Sequence, residues 1–280
     1  MKVLIAPDKF AGTLSAPEAA RAIAEGWSRV APADELTLMP MSDGGPGFVD
    51  ALGRSDDGIV NLEAAQSVGL DRGLDPWNAS SYELGVAIRD VLVRTDSPPR
   101  CVRVGLGGTR TIDGGAGLLA ALGAQADVPL DRGPAGLRGI GQLDLTAARA
   151  LMNGIELVAA ADTDVPLLGL FGAAKNFGPQ KGLADHELVE VDAILDGFVV
   201  AALGATPAER RLADQPGAGA AGGLGFALML LDAEVQRGVD VVAEAVGLAD
   251  ACARHDLVIT GEGAFDHTSR TGKVVFGVST

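Results

Sequence analysis

The chain has 280 residues, 48% of them hydrophobic, and 39 glycines, enough to bury a large core and more naturally divided into two domains than held as one. Its formal net charge of −15, with no basic run, excludes nucleic acid and anionic membranes as partners; any anionic substrate must meet locally gathered lysines and arginines, or a metal ion. No apolar run reaches ~18 residues and MKVLIAPDKF turns polar too early for a signal peptide, so a cytoplasmic protein is expected, with Cys101 and Cys252 as reduced thiols outside any CxxC or metal spacing.

In chain order, residues 2–6 read as a buried strand. Ser15 ahead of Pro17 and Glu18 marks a capped helix start, and that helix runs to Val30. Residues 36–41 form a second strand that ends in the turn MSDGGPG (41–47), and a helix begins at Phe48. Asp8, Lys9 and Asp43 thus fall beyond the carboxyl ends of strands, where open α/β sheets bind ligands. Residues 55–61 are polar and read as a crossing point between domains, and 80–93 are helical by apolar spacing.

Residues 101–105 form a strand entering the second turn, GGTRTIDGG (107–115), and an Ala/Leu helix leaves it at 116–122, closed by Gly123. A strand over 157–161 runs into Asp162 and Asp164, then into the loop that carries Lys175 and Lys181. Residues 185–203 make a long helix. PGAGAAGGLG (216–225) leads into an apolar stretch, and a last strand at 256–260 precedes Gly261-Glu262-Gly263. Strand, glycine turn and helix recur in this order, which is α/β throughout.

Glycines without a Cβ let main-chain N–H groups close around a phosphate, and an adjoining Asp supplies a hard oxygen for Mg²⁺ or a proton acceptor. Taken singly, Asp43 and Asp113 are more often turn formers bonding their own backbone. Gly217, Gly219 and Gly222 satisfy GxGxxG, but the polar residues before them exclude the strand a dinucleotide site needs; an anion-binding helix start or tight helix packing remains. Gly272-Lys273 lacks the Walker A spacing. The scattered His186, His255 and His267 support neither a zinc site nor a serine triad.

Six blocks in order, APDKFAGTLSA (6–16), MSDGGPG (41–47), GLGGTRTIDGGAG (105–117), NFGPQKG (176–182), PGAGAAGGLGF (216–226) and DLVITGEG (256–263), resemble glycerate kinases of the bacterial non-P-loop type. The resemblance implies transfer of the γ-phosphate of ATP to D-glycerate, in most bacterial members at the 2-hydroxyl, with Mg²⁺. It implies a flavodoxin-like α/β domain from 1–55 plus 235–280, a second α/β domain from 56–234, and an active site in the cleft between them. On the motif positions Asp8, Lys9, Asp43, Gly44, Gly45, Asp113, Gly114, Gly115, Asp162, Lys181, Glu262, Asp266 and Lys273 line that cleft. Asp43 or Asp113 is expected as base or metal ligand, Lys181 and Lys273 as phosphate clamps, Asp162, Glu262 and Asp266 as further metal ligands, and the glycine turns as the cradle.

The chain departs from the family pattern at Ala11, Pro46, Ile112, Val165 and near Thr268, and a stretch is missing between Gly53 and Glu63. A relative that binds a nucleotide or small acid without turnover is the alternative these departures favour. Family members also continue beyond the position of Thr280. The edge next to strand 256–260 is therefore expected to be open, giving an oligomer or a weakened domain with Val274, Val275 and Phe276 exposed.

Overall fold

A computed structural model describes residues 1–10, 12–53, 55–56, 58–73, 75–93, 97–264 and 274–279. Its strands are β1 (Lys2–Ile5), β2 (Glu35–Leu38), β3 (Ser55–Asp56), β4 (Ile59–Glu63), β5 (Cys101–Gly105), β6 (Gln125–Ala126), β7 (Leu143–Asp144), β8 (Glu156–Ala161), β9 (Glu234–Arg237) and β10 (Leu257–Ile259). They form a parallel three-stranded sheet in the order β10-β1-β2, a five-stranded sheet in the order β3-β4-β5-β8-β9, and the small β6-β7 pair. In the five-stranded sheet only β3 runs antiparallel. The fold is α/β, as expected.

Central strands buried on both faces carry continuous apolar runs, and β1 and β8 obey that rule: Val3, Leu4 and Ile5 are fully buried, as are Ala159 and Ala160. The first helix, Ala16–Val30, starts as its sequence dictates. Glu18 N donates to Ser15 Oγ and Ser15 N to Glu18 Oε2, a reciprocal capping box.

Two expectations need correcting, those for residues 55–61 and for Val274. Residues 55–61 are not a simple polar crossing: they hold β3 and the start of β4, because Asn61 is buried with its amide donated to Gly53 O at 3.0 Å. A boundary at 234/235 would cut β9, which pairs with β8, and Ser55 likewise lies in the five-stranded sheet. Val274 is fully buried in the helix Val274–Ser279, although Phe276 is 39% exposed. The helix Ala220–Met229 is interrupted by three consecutive left-handed residues, Ala221, Gly222 and Gly223.

The two large sheets share one apolar cluster. It joins Leu4 and Ala6 beside β1, Cys101 of β5, and Val158 and Ala160 of β8 with Met41, Phe48, Val239 and Val242. Full burial of an aromatic side chain such as Phe48 contributes about 2–3 kcal/mol, so this cluster is a substantial bond between the sheets.

Backbone contacts at glycines reinforce it. The turn after β2 presses against the carboxyl ends of β5 and β8. A Cβ on Gly44 would lie 2.7 Å from Ala160 O, one on Gly107 2.5 Å from Gly45 Cα, and one on Gly238 2.1 Å from Asp43 O. Gly107 N donates to Gly44 O at 3.0 Å. Glu63, at the end of β4, accepts from Gly47 N at 3.0 Å and Val49 N at 3.4 Å, placing an acid at the start of the helix Phe48–Leu52.

This packing predicts that Gly238→Ala forces backbone apart where no flexible side chain can yield. Urea denaturation should show a loss of about 1–3 kcal/mol. Unchanged stability would mean that the turn after β2 is not held by this contact.

Candidate active site

β1 is the middle strand of its sheet, with β2 on one side and β10 on the other, so the chain reverses direction across it and leaves a crevice at its carboxyl end. Asp8 and Lys9 stand there. Asp8 N donates to Gly261 O at 2.8 Å and Met41 N to Pro7 O at 2.9 Å, extending the ladder past the last strand residues. The ends of β5 and β8 open on the same crevice. A cavity of about 340 Å³ is lined by Lys9, Asp43, Gly45 and Pro46 from the first sheet's side, by residues 106–109 and 161–163 from the second, and by Leu70, Phe177, Gln180, Lys181, Ala220 and Ala221.

Two lysines face this cavity in opposite electrostatic settings. Lys9 Nζ donates to Asp43 Oδ1 at 2.8 Å and lies 3.5 Å from Asp8 Oδ1. Burial opposes its charge, but Asp43 and then Asp8 outweigh that, and its pKa is raised. Burial and the Asp43 charge together push the Asp8 carboxyl up to about 6, against the pull of Lys9. Asp43 Oδ1 also accepts from Gly45 N at 3.0 Å, so both donors converge on one oxygen and Oδ2 keeps its lone pairs.

Lys181 is only 2% exposed. It closes the short turn Pro179–Lys181, and Gly182, at φ +99°, ends that turn as a residue without Cβ must. Its Nζ donates to Thr109 O at 2.5 Å and to Thr109 Oγ1 at 3.2 Å. Burial pushes its pKa down to about 7, with the Asp113 charge pulling the other way.

Asp113 does not reach the cavity. It is fully buried, with Oδ2 accepting from Ser81 N and Ser81 Oγ at 2.8 Å each and from Gly117 N at 3.3 Å, and Oδ1 accepting from Gly115 N at 3.1 Å. Burial raises its pKa against these hydrogen bonds. It ties the second DGG turn to the starts of the helices Tyr82–Val93 and Ala116–Ala121.

The other expected positions separate. Gly45 and Asp162 line the cavity, whereas Gly44 meets Ala160. Gly114 and Gly115 pack on Phe198 and Ala227. Gly217, Gly219 and Gly222 do not form an anion cradle: a Cβ would meet Val235, Pro166 O and Thr111 O, and the Gly219 and Gly222 amides are spent on Val165 O and Gly219 O. Glu262 follows β10, one residue after the Gly261 that Asp8 N bonds, and its Oε1 is buried without a hydrogen-bond partner among the described residues. Asp266 and Lys273 lie outside the described residues, as do Ala11 and Thr268. Of the remaining departures Pro46 lines the cavity, Ile112 is in the core and Val165 is half-buried. Thr109, Thr163, Glu63 and Gly238 are site-building residues that sequence reasoning missed; Thr109 lies inside the quoted GGTRTIDGG block, and the others carry no local signal.

Among the described residues no three His, Cys, Asp or Glu side chains form a group able to hold a metal by themselves. Mg²⁺ does not need such a cage. It keeps waters and takes one or two protein carboxylates plus substrate phosphates, and the carboxylates that line the cavity are Asp43 and Asp162.

A model of the glycerate kinase family matches residues 3–61 and 53–280. The chain is 34% identical to a glycerate kinase from Haemophilus influenzae, with all of this chain and 82% of the relative aligned. It is also 34% identical to a glycerate 2-kinase from Escherichia coli K12, covering all of this chain and 81% of the relative. A solved structure of a glycerate kinase 2 candidate from Salmonella typhimurium LT2 superposes with a TM-score of 0.84 at 31% identity, over all of this chain and 83% of that one. The alignments to the first two span 314 positions against 280 residues, so these relatives carry internal sequence that this chain lacks. The two family-model segments meet at 53–61, where the missing stretch was expected.

The buried hydrogen-bond set of Asp113 predicts that Asp113→Asn, which replaces an acceptor by an NH₂ facing N–H donors, costs about 1–3 kcal/mol in urea denaturation. Asp43→Asn, at the cleft surface, should cost less. Equal stabilities would refute the structural role of Asp113.

Proposed function

This chain belongs to the glycerate kinase family, and on that premise we propose that it transfers the γ-phosphate of ATP to D-glycerate in the cavity between its two parallel sheets, forming 2-phosphoglycerate. The observation that carries this reading is the convergence, on one cavity, of a carboxylate with an unspent oxygen and two lysines from separate elements. The name of the Escherichia coli relative supports the 2-hydroxyl. The pairing of β1, β2 and β10 on one hand and β3–β9 on the other supports a division near Gly53 and near Arg237.

In this reading Lys9 and the Gly45 amide hold Asp43 Oδ1, and Oδ2 accepts the proton of the glycerate hydroxyl as its oxygen attacks the γ-phosphorus. The bond from that phosphorus to the bridging oxygen breaks, and ADP leaves with the bond's electron pair. Lys181 meets the charge of the anionic groups at the cavity floor. Asp162 would hold Mg²⁺ delivered with the nucleotide, and the ion would offset charge on the phosphates. Leu70, Leu106 and Phe177 give the cavity an apolar wall.

The direct test is an assay with Mg²⁺, ATP and D-glycerate, with the product position read by NMR. Phosphoglycerate should form. ATP binding without any product would favour the non-turnover relative, for which the Pro46 departure in the cavity lining speaks.

Two outcomes follow from the residue roles. Asp43→Asn should keep the fold and lower kcat by about 10²–10⁴, the usual worth of a general base, and a near-wild-type kcat would remove Asp43 from the chemistry. Lys181, with its pKa of about 7, is mostly charged at pH 6 and mostly neutral at pH 8. A bound anion favours the ammonium, so binding above pH 7 must bring in a proton. KM for the anion that Lys181 holds should therefore climb toward roughly tenfold per pH unit above 7 and level off below it. Lys181→Arg, charged throughout, should flatten that rise.

A further inference from the structure

Lys181 has three N–H donors, and two of them go to one residue, Thr109, through its carbonyl and its hydroxyl. Thr109 is itself buried, at 3% exposure, and its backbone is fixed on the other side: Gly108 O accepts from Leu70 N at 3.0 Å, and Thr109 bridges to Gly69. The hydroxyl is oriented too. Thr109 Oγ1 points its proton to Ala221 O at 3.5 Å, which turns its lone pairs toward the ammonium. Ala221 lines the same cavity and holds a left-handed backbone, φ 55°, unusual for a residue with a Cβ.

We infer that Thr109 is a positioning residue: it fixes the Lys181 ammonium in the cavity floor so that a single N–H is left for the anionic group of a substrate. The inference rests on the reading of the cavity as a kinase site. Valine would fill the same volume as Thr109 and keep the carbonyl, but it offers Nζ no side-chain acceptor, so the choice of threonine is explained by the hydroxyl and not by packing. Asp113, whose charge acts on Lys181, is locked in its own hydrogen bonds and cannot take over the second anchor.

The test compares Thr109→Val, Thr109→Ser, Lys181→Ala and the Thr109→Val/Lys181→Ala double variant. Each is assayed for kcat and for KM with ATP and D-glycerate, and titrated calorimetrically with D-glycerate and with the non-hydrolysable ATP analogue AMPPNP. Thr109→Val should weaken the same ligand as Lys181→Ala, by about tenfold, the order of one hydrogen bond to a charged group. Thr109→Ser should restore affinity to within about twofold, and the double variant should be no weaker than Lys181→Ala alone.

Wild-type affinity in Thr109→Val, a full additional loss in the double variant, or no effect of Lys181→Ala on either ligand would each overturn the inference. Should Thr109→Val fail to fold, Thr109→Ala against Thr109→Ser gives the same comparison. Absence of phosphoglycerate from the wild type would sink the kinase reading, and the titrations would still decide the role of Thr109.

Discussion

The structure depends on a contact that only glycine permits, the approach of the turn after β2 to the ends of two strands of another sheet. Gly44, Gly45, Gly107 and Gly238 let backbone meet backbone there, and a Cβ at Gly44, Gly107 or Gly238 would overlap a carbonyl or a Cα. Asp43 sits within this seam, so its carboxylate is placed by main chain from both sheets and not by a loop tip. Glu63 and Phe48 secure the same turn by hydrogen bonding and by burial.

Electrostatics complete what the seam begins. A chain with a net charge of −15 has to concentrate its cations to receive an anionic substrate, and it does so with one paired and one buried lysine. Lys9 remains charged because Asp43 and Asp8 surround it, while Lys181 is brought near neutrality by burial. One lysine is thus held charged by its neighbours, and the other titrates near neutrality.

Much of this was legible before any coordinates. The buried runs of β1, β5 and β8 announced themselves by composition, and the first helix by Ser15, Pro17 and Glu18. The strand β4 was obscured because Asn61 and Glu63 are polar residues in buried positions, each occupied with holding the turn around Gly47 and Gly53. β9 was invisible for a different reason, since its alternating residues are at most half-buried. Burial itself is not written in residue type: Asp43 and Asp113 stand in near-identical DGG turns, yet one borders the cavity and the other is sealed in hydrogen bonds. Lys175 and Lys181 flank the same turn, and only the second points inward.

The central claim is that both sheets contribute to one phosphoryl-transfer site, with the acceptor hydroxyl on the Asp43 side and an anionic group on Lys181. A crystal structure with AMPPNP, Mg²⁺ and D-glycerate bound tests it most directly. The account predicts the glycerate hydroxyl within hydrogen-bonding distance of Asp43 Oδ2, with Lys181 Nζ on a phosphate or carboxylate oxygen. Ligands bound elsewhere, or bound in this cavity with Asp43 and Lys181 both out of reach, would contradict it.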